Sequence, residues 1–127
     1  MSFGFGVGDV IQITEICWKV YKKCSESPGV YKQLAGEVSS LHSVLKETEE
    51  LVGQQTLSKR QRDRLLPCQE SCDKLLKELD VMISKYESLG TKSQRVFDRM
   101  GMANQDVPEI RQRLITNVSL LNAFIST

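Results

Sequence analysis

The feature that most constrains the fold of this chain is a run of apolar residues spaced alternately three and four positions apart. Between positions 65 and 89 these residues are Leu65, Cys68, Cys72, Leu75, Leu79, Met82, Tyr86 and Leu89. An α-helix turns once every 3.6 residues, so this spacing places all of them on one face of a helix. A long apolar face must be buried against other elements, and the spacing therefore predicts a helical bundle.

Two shorter segments before position 55 carry the same periodicity. A first helix is predicted over residues 9–24, with Asp9 as its N-cap and a stripe of Val10, Ile13, Cys17, Val20 and Cys24, which Ile11, Ile16 and Tyr21 widen. Ser27 and Pro28 predict the start of a second helix, which Gly53 closes and whose stripe is Val30, Leu34, Val38, Leu41, Val44, Leu45 and Leu51 or Val52. Glycine costs about 1 kcal/mol against alanine inside a helix, so Gly36 predicts a close helix approach there.

The remaining segments complete the bundle. Ser58 and Gln61 predict a capping box that opens the third helix, while Pro67 predicts either a kink or a late start near Leu66, and Gly90 predicts the helix end. A short fourth helix is predicted over residues 93–100, ending at Gly101. Asp106 as N-cap, Pro108 in the first turn and Glu109 at N3 predict the start of a final helix, which turns inward Ile110, Leu114, Val118, Leu121 and Ile125. Short connections imply antiparallel neighbours, so the predicted fold is an all-α, up-and-down bundle of four to five helices, a single domain over residues 1–127.

Charge and hydropathy exclude several classes of protein. The 17 Lys and Arg residues nearly balance the 16 Asp and Glu residues, which argues against a nucleic-acid partner. No run of eighteen apolar residues occurs, so no constitutive membrane span is expected. The first residues also lack the basic region of a secretory signal, and the expected location is therefore cytoplasmic.

Neither metal binding nor catalysis is predicted. Cys17 and Cys24 lie a heptad apart and Cys68 and Cys72 one turn apart, whereas structural zinc sites usually show two short knuckle-like pairs. We expect reduced, mostly buried thiols that pack as small apolar groups. The single histidine, His42, flanks an apolar stripe and is predicted to be structural. Because the chain has no nucleotide-binding glycine loop and no catalytic constellation, we expect no cofactor and no enzyme activity.

The first thirteen residues point to a possible function. Phe3, Phe5 and Val7 alternate with glycines and run directly into the first helix. Glycine makes such a tip entropically expensive to order, so residues 1–8 are expected to be flexible. In one interpretation the three apolar side chains cap an end of the bundle. In the other, residues 1–24 detach and the apolar stripe enters a bilayer, which requires several copies because the segment is too polar to span alone.

Two clusters of basic residues also have alternative interpretations. Lys59, Arg60, Arg62 and Arg64 either form a solvated helix start or attract anionic lipid headgroups, at about 1 kcal/mol per cation. A second basic cluster consists of Lys19, Lys22 and Lys23. It adds to such a lipid-binding surface only if the fold brings the two clusters to one side of the bundle.

The opening Met1-Ser-Phe-Gly-Phe-Gly-Val-Gly-Asp-Val-Ile11 resembles the start of fungal N-terminal domains at the head of STAND and NOD-like receptor proteins, the HeLo-like group. The similarity continues through Ser27-Pro28, Glu37-Val-Ser-Ser-Leu41, Val44-Leu45, Cys72-xx-Leu75-xxx-Leu79, Lys85-Tyr86, Ile110-Arg-xx-Leu114 and Leu120-Leu121. It covers essentially the whole chain. It implies a helical bundle at the effector end of an innate-immunity receptor, whose downstream nucleotide-binding oligomerisation module and repeats sense a ligand.

The resemblance also implies a mechanism. Related HeLo bundles are associated with membrane-targeted programmed cell death in heterokaryon incompatibility, through their N-terminal helix. The corresponding membrane- or partner-binding residues here are Phe3, Phe5, Val7, Val10, Ile11, Ile13 and Ile16. The implied partners are further copies of the domain, the downstream receptor domains and anionic lipids, with recruitment to the plasma membrane on activation. Asp9 and Glu15 are charged residues within the helix proposed to insert, so they do not fit a simple membrane span and would instead line a polar lumen. The alternative function is a protein–protein interaction bundle without membrane activity.

Overall fold

The computed structural model describes residues 7–27, 29–89 and 106–126, and all regular structure in these ranges is helical. The elements are α1 (Val7–Glu26), a 3-10 helix (Gly29–Leu34), α2 (Ala35–Gln54), α3 (Lys59–Glu87) and α4 (Asp106–Ile125). The predicted all-α bundle is therefore confirmed. The predictions for Phe3, Phe5, Pro28, Gly90 and the short helix over residues 93–100 fall outside the described residues, as does the capping side chain of Asp106.

The start of α3 follows directly from its sequence. The Ser58 hydroxyl accepts a hydrogen bond from the Gln61 backbone N–H at 3.1 Å, and the Gln61 side-chain oxygen accepts one from the Ser58 N–H at 2.8 Å. This reciprocal pair is the predicted capping box. It fixes the first turn at Lys59, so Pro67 lies inside a continuous 29-residue helix and the alternative of a late start near Leu66 is wrong.

The first two helices begin elsewhere than predicted. Helix α1 starts at Val7, and Asp9 lies in its first turn rather than at the N-cap. The second helical segment opens as a 3-10 helix after Gly29, which has a positive φ of 75°. Residues three apart eclipse in a 3-10 helix, so Tyr31 and Leu34 both point inward. Helix α2 begins only at Ala35, and the buried Leu34 before it provides no side-chain cap.

Two predictions about glycines in α2 are wrong. A β-carbon built at Gly36 meets no atom of the described residues within 4 Å, so none of the described helices approaches closely there. Gly53 does not close the helix, which continues to Gln54. A β-carbon at Gly53 would instead lie 3.7 Å from Cγ2 of Val7, which brings the start of α1 to the end of α2.

The helices alternate in direction, as an up-and-down bundle requires. The start of α1 at Val7 lies near the end of α2, so these two helices are antiparallel. Lys23 near the end of α1 pairs with Asp80 near the end of α3, which makes α1 and α3 parallel. Arg111 near the start of α4 reaches the beginning of α2, so these two are parallel as well. Helices α3 and α4 are antiparallel.

The order of the helices around the bundle differs from their order in the chain. Helix α1 packs mainly on α2 and α3, and α4 packs mainly on the same two helices. Consecutive helices α2 and α3 therefore occupy opposite corners. The link between them, residues 55–58, inserts Leu57 into the end of the core, where only 8% of its side chain remains exposed.

The predicted stripe of α1 is buried throughout, from Val10 to Cys24. In α3 the strict heptad fails at Met82, which is half-buried, because Ile83 takes the core position. A straight helix drifts by about 20° per heptad, which accounts for this one-residue shift. In α4, Asn117 and Phe124 are buried where Val118 and Ile125 were expected.

Candidate functional site: the outer face of the first helix

Helix α1 is apolar on more than the face it buries. Its inner stripe, centred on Ile13 and Cys17, is fully buried in the core. Beside that stripe, toward α2, Trp18 is 47% exposed, and Ile11 lies two turns before it, half-buried. An exposed tryptophan on a helix that already buries one apolar stripe is the most conspicuous feature of the described surface.

Trp18 is held in place by two other rings. Its centroid lies 5.3 Å from that of Tyr21, in a stacked arrangement, and 5.1 Å from that of His42, in a tilted one. Tyr21 is one turn along α1 at i+3, whereas His42 belongs to α2. The rings of Trp18, Tyr21 and His42 thus join the two helices at the surface. We call these three residues the Trp18 cluster.

The Trp18 cluster lies over a groove of about 480 Å³ between α1 and α2. The α1 side includes Glu15 and Lys19, one turn apart, and the α2 side includes Lys46 and Glu49. The Lys46 ammonium lies 3.7 Å from a Glu49 carboxylate oxygen. The complete lining is Ile11, Thr14, Glu15, Trp18, Lys19, His42, Lys46 and Glu49. The charges in the groove therefore balance, which fits a protein surface better than a purely anionic or cationic ligand.

The environment of His42 disfavours its charged form. Partial burial lowers the pKa of His42 below its ordinary value of 6.5, the nearby Lys46 ammonium lowers it further, and Glu49 acts in the opposite direction. At neutral pH the imidazole is therefore uncharged. Its ring packs against Trp18, in agreement with the predicted structural role.

The two basic clusters lie at opposite ends of the bundle. Lys23 pairs with Asp80, so the end of α1 lies level with the last third of α3. Residues 59–64 precede Asp80 by about four to six helical turns, or roughly 24–32 Å. The structure therefore does not combine Lys19, Lys22 and Lys23 with Lys59, Arg60, Arg62 and Arg64 into one surface.

The basic cluster at the start of α3 is placed unfavourably for that helix. Lys59, Arg60 and Arg62 lie in the opening residues of α3, where the positive end of the helix dipole disfavours cations, and the first turn contains no acidic residue. The start of α1 lies at the same end of the bundle. An anionic surface would stabilise cations in this position.

The residues predicted to bind a membrane or partner have different environments. Val10 and Ile13 are core residues, whereas Ile11 and Ile16 are half-buried. Val7 is 36% exposed, and Phe3 and Phe5 lie outside the described residues. In this state of the bundle, the buried members of the set are accessible only if α1 leaves its partners.

The four cysteines are free and buried. Burial raises the pKa of the Cys17 and Cys24 thiols to about 12 each, with the Cys24 thiol adding to the effect on Cys17 and the Glu87 carboxylate to that on Cys24. Burial also raises the pKa of Cys68 and Cys72. All four are therefore protonated at neutral pH and pack as apolar groups, as predicted.

The residue that sequence reasoning missed is Trp18. A signal for it exists, because Ile11, Glu15, Trp18 and Lys22 recur at three- and four-residue steps on a side of α1 that lies outside the buried stripe. A large apolar residue within this otherwise mixed face distinguishes it from a solvated one.

Within residues 7–27, 29–89 and 106–126, no helix is both long and apolar enough to cross a bilayer, and no three His, Cys, Asp or Glu side chains are grouped as metal ligands. Comparison of the chain with protein-family models, with curated proteins and with solved structures finds no match.

Proposed function

We propose that this chain is the N-terminal signalling or cell-death execution domain of a fungal NOD-like receptor of the HeLo-like group. In this proposal copies of the domain cluster, α1 leaves the bundle, and its apolar residues then perturb a membrane. The observation that carries the proposal is the apolar character of α1 on two sides, with Val10 and Ile13 inward and Trp18 outward.

The position of the basic cluster supports this proposal. Arg60 and its neighbours at the start of α3 lie at the bundle end where α1 begins, so an anionic membrane attracted there would meet Val7. The unfavourable interaction of these cations with the helix dipole is then offset by lipid phosphates.

Release of α1 has a large energetic cost. Five side chains of its stripe are buried, and the three aliphatic ones, Val10, Ile13 and Val20, are each worth about 1.5–3 kcal/mol when fully transferred from water. The resting domain is therefore inactive, and clustering must supply the compensating interactions. Asp9 and Glu15 face away from lipid only in an assembly of several copies, where they line a polar lumen.

The decisive test locks α1 to α2. A β-carbon at Gly53 would lie 3.7 Å from Cγ2 of Val7, and we therefore choose these two positions for an engineered disulfide. We expect the double variant Val7→Cys and Gly53→Cys, fused to an oligomerising scaffold, to release dye from phosphatidylserine-containing vesicles only after reduction. The same protein before and after reductant is its own control, since the native thiols are buried.

Two further samples separate the membrane function from its alternative. Deleting residues 1–8 from the clustered domain is expected to abolish leakage, and flotation is expected to require both anionic lipid and residues 1–24. Equal leakage by the oxidised and reduced forms would show that α1 release is not the mechanism. If the clustered domain neither binds vesicles nor makes them leak, a membrane function is excluded.

The second candidate function is a protein–protein interaction bundle without membrane activity. It is favoured by the Trp18 cluster, because a preordered, half-exposed tryptophan is typical of protein interfaces. Under this alternative α1 stays in the bundle, so the disulfide-locked and reduced forms would recruit the partner equally.

A further inference from the structure

We propose that the outer face of α1 is a self-association surface, on which α1 packs antiparallel against α1 of a second copy of this chain. The proposal rests on the geometry of three residues: Trp18 at the centre, with Glu15 and Lys19 on either side of it. It deepens the proposed function, since it names the contact through which copies meet.

Trp18 has the properties of an interface anchor. It is 47% exposed, so a large apolar area remains to be removed from water. The contacts with Tyr21 and His42 already restrict its rotamers, and little side-chain entropy is lost when a partner covers it.

The charges beside Trp18 on one copy are complementary to the same charges on a second, antiparallel copy. Glu15 and Lys19 are one helical turn apart, and their midpoint lies at the level of Cys17. A twofold axis at that level brings Glu15 of each copy opposite Lys19 of the other, so two intermolecular ion pairs form at once. Each Trp18 then lies about 1.5 Å along its helix from the axis, and the two rings meet at the centre of the contact.

These charges are available for such pairing. Lys46 pairs with Glu49 on the α2 side of the groove, whereas Glu15 and Lys19 form no ion pair with any described residue. A lipid or nucleic-acid surface would satisfy only one sign of charge, while a second copy satisfies both. The balanced face therefore fits a copy of this chain best.

Charge reversal tests this arrangement directly. In sedimentation velocity from about 10 μM to about 1 mM, the range in which small interfaces dissociate, we expect reversible self-association of the 127-residue chain. The single variants Glu15→Lys and Lys19→Glu each place like charges in both pairs, and self-association is expected to weaken at least about tenfold. Trp18→Ala is expected to weaken it similarly.

Mixing the two single variants is the decisive experiment. In an antiparallel pair, the Glu15→Lys chain presents two cations to the two carboxylates of the Lys19→Glu chain, so the mixture is expected to associate although neither variant does alone. The double variant is expected to regain self-association. Lys74→Glu, an exposed reversal on α3, is the matched control and is expected to behave as the parent chain.

Three results would overturn the proposal: a monomer over the whole concentration range, association that both single variants leave unchanged, or a mixture that stays monomeric. Thermal melting of each variant checks that it is folded. The assay contains no lipid, so failure here is distinguishable from failure of the membrane function, which vesicle leakage reads separately.

Discussion

Helices α1 and α3 lie side by side and parallel, and they bury equivalent stripes, yet their outer faces differ. Both stripes are dominated by residues with almost no exposure, such as Ile13 in α1 and Leu79 in α3. The outer face of α3 is charged along most of its length, and its one large exposed apolar side chain in the described structure is Val81. The outer face of α1 instead presents the Trp18 cluster.

The difference separates packing from function. A helix that needs only to complete a core gains nothing from a tryptophan on its solvent side, and α3 follows that pattern. The exposed Trp18 indicates that helix α1 also serves an interaction on its outer face, in addition to completing the core. The comparison predicts that substitutions in α3 after its basic opening residues alter stability alone, whereas substitutions on the outer face of α1 alter association with little change in stability.

The largest expected effect tests the core side of the comparison. Leu79→Ala in α3 should lower the free energy of unfolding by about 2–5 kcal/mol, because the fully buried side chain leaves a cavity. The matched control is Val81→Ala, two residues along the same helix and 52% exposed, which should change it by less than about 0.5 kcal/mol. Urea unfolding measures both, and a larger loss at Val81 would mean that the outer face of α3 is covered.

A second prediction concerns a defect within the inner face of α3. Gln69 is 2% exposed, and among the described residues neither its amide nitrogen nor its oxygen has a hydrogen-bond partner. Gln69→Leu should therefore raise the free energy of unfolding by about 1–3 kcal/mol, the usual cost of unsatisfied buried polar groups. Gln112→Leu on the exposed side of α4 is the control. A loss of stability in Gln69→Leu would indicate that bound water pairs with the amide.

A third prediction stabilises the α1–α2 pair without touching its groove. Gly36→Ala should raise the free energy of unfolding by about 0.5–1 kcal/mol, because alanine has the higher helix propensity and its methyl group would meet no atom in the described part of the chain. Gly29→Ala is the opposite control, since its φ of 75° strains any L-residue. Chemical denaturation should show changes of opposite sign, and equal signs would contradict the backbone argument.

The smallest effect concerns pH. Because the pKa of His42 is lower in the folded chain than its ordinary 6.5, the unfolded chain binds more protons as pH falls below that value. The stability associated with neutral His42 is therefore present above about pH 6.5 and is lost as pH falls toward the folded pKa. The charged groups facing it in the groove are Glu15, Lys19, Lys46 and Glu49.

His42→Gln isolates this contribution, because it removes the imidazole and leaves every carboxylate in place. When the pH is lowered from about 7.5 to about 5.5, the melting temperature of the parent chain should fall further than that of the variant. Equal losses would show that His42 does not contribute to the pH dependence.

Periodicity predicted the helices and most buried positions because burial repeats with the helix turn. It failed where chemistry and period disagree: Asn117 occupies a core position that its polarity argued against, and its side-chain nitrogen donates to the Arg113 carbonyl. Ile83 replaced Met82 because a heptad repeat only approximates the helix period. Capping at Ser58 was predictable since it depends on neighbours in sequence alone.

The candidate site was less accessible to sequence reasoning. Whether Lys23 and Arg60 share a surface depends on which helices are neighbours, and loop lengths do not determine that α2 and α3 take opposite corners. The contact of Trp18 with His42 likewise joins two helices. Its outward position was readable from spacing, but its ring partners required the fold.

The order of the helices around the bundle has a consequence for folding. The neighbours α1–α2 and α3–α4 are consecutive helices, whereas the contacts α1–α3 and α2–α4 join residues as far apart as Lys23 and Asp80, 57 positions, or Glu37 and Arg111, 74 positions. Closing the longer loops costs more chain entropy, so each consecutive pair is expected to assemble first and the two pairs to dock afterwards. Residues 55–58 thus connect the two helix pairs, α1–α2 and α3–α4, that are expected to fold first.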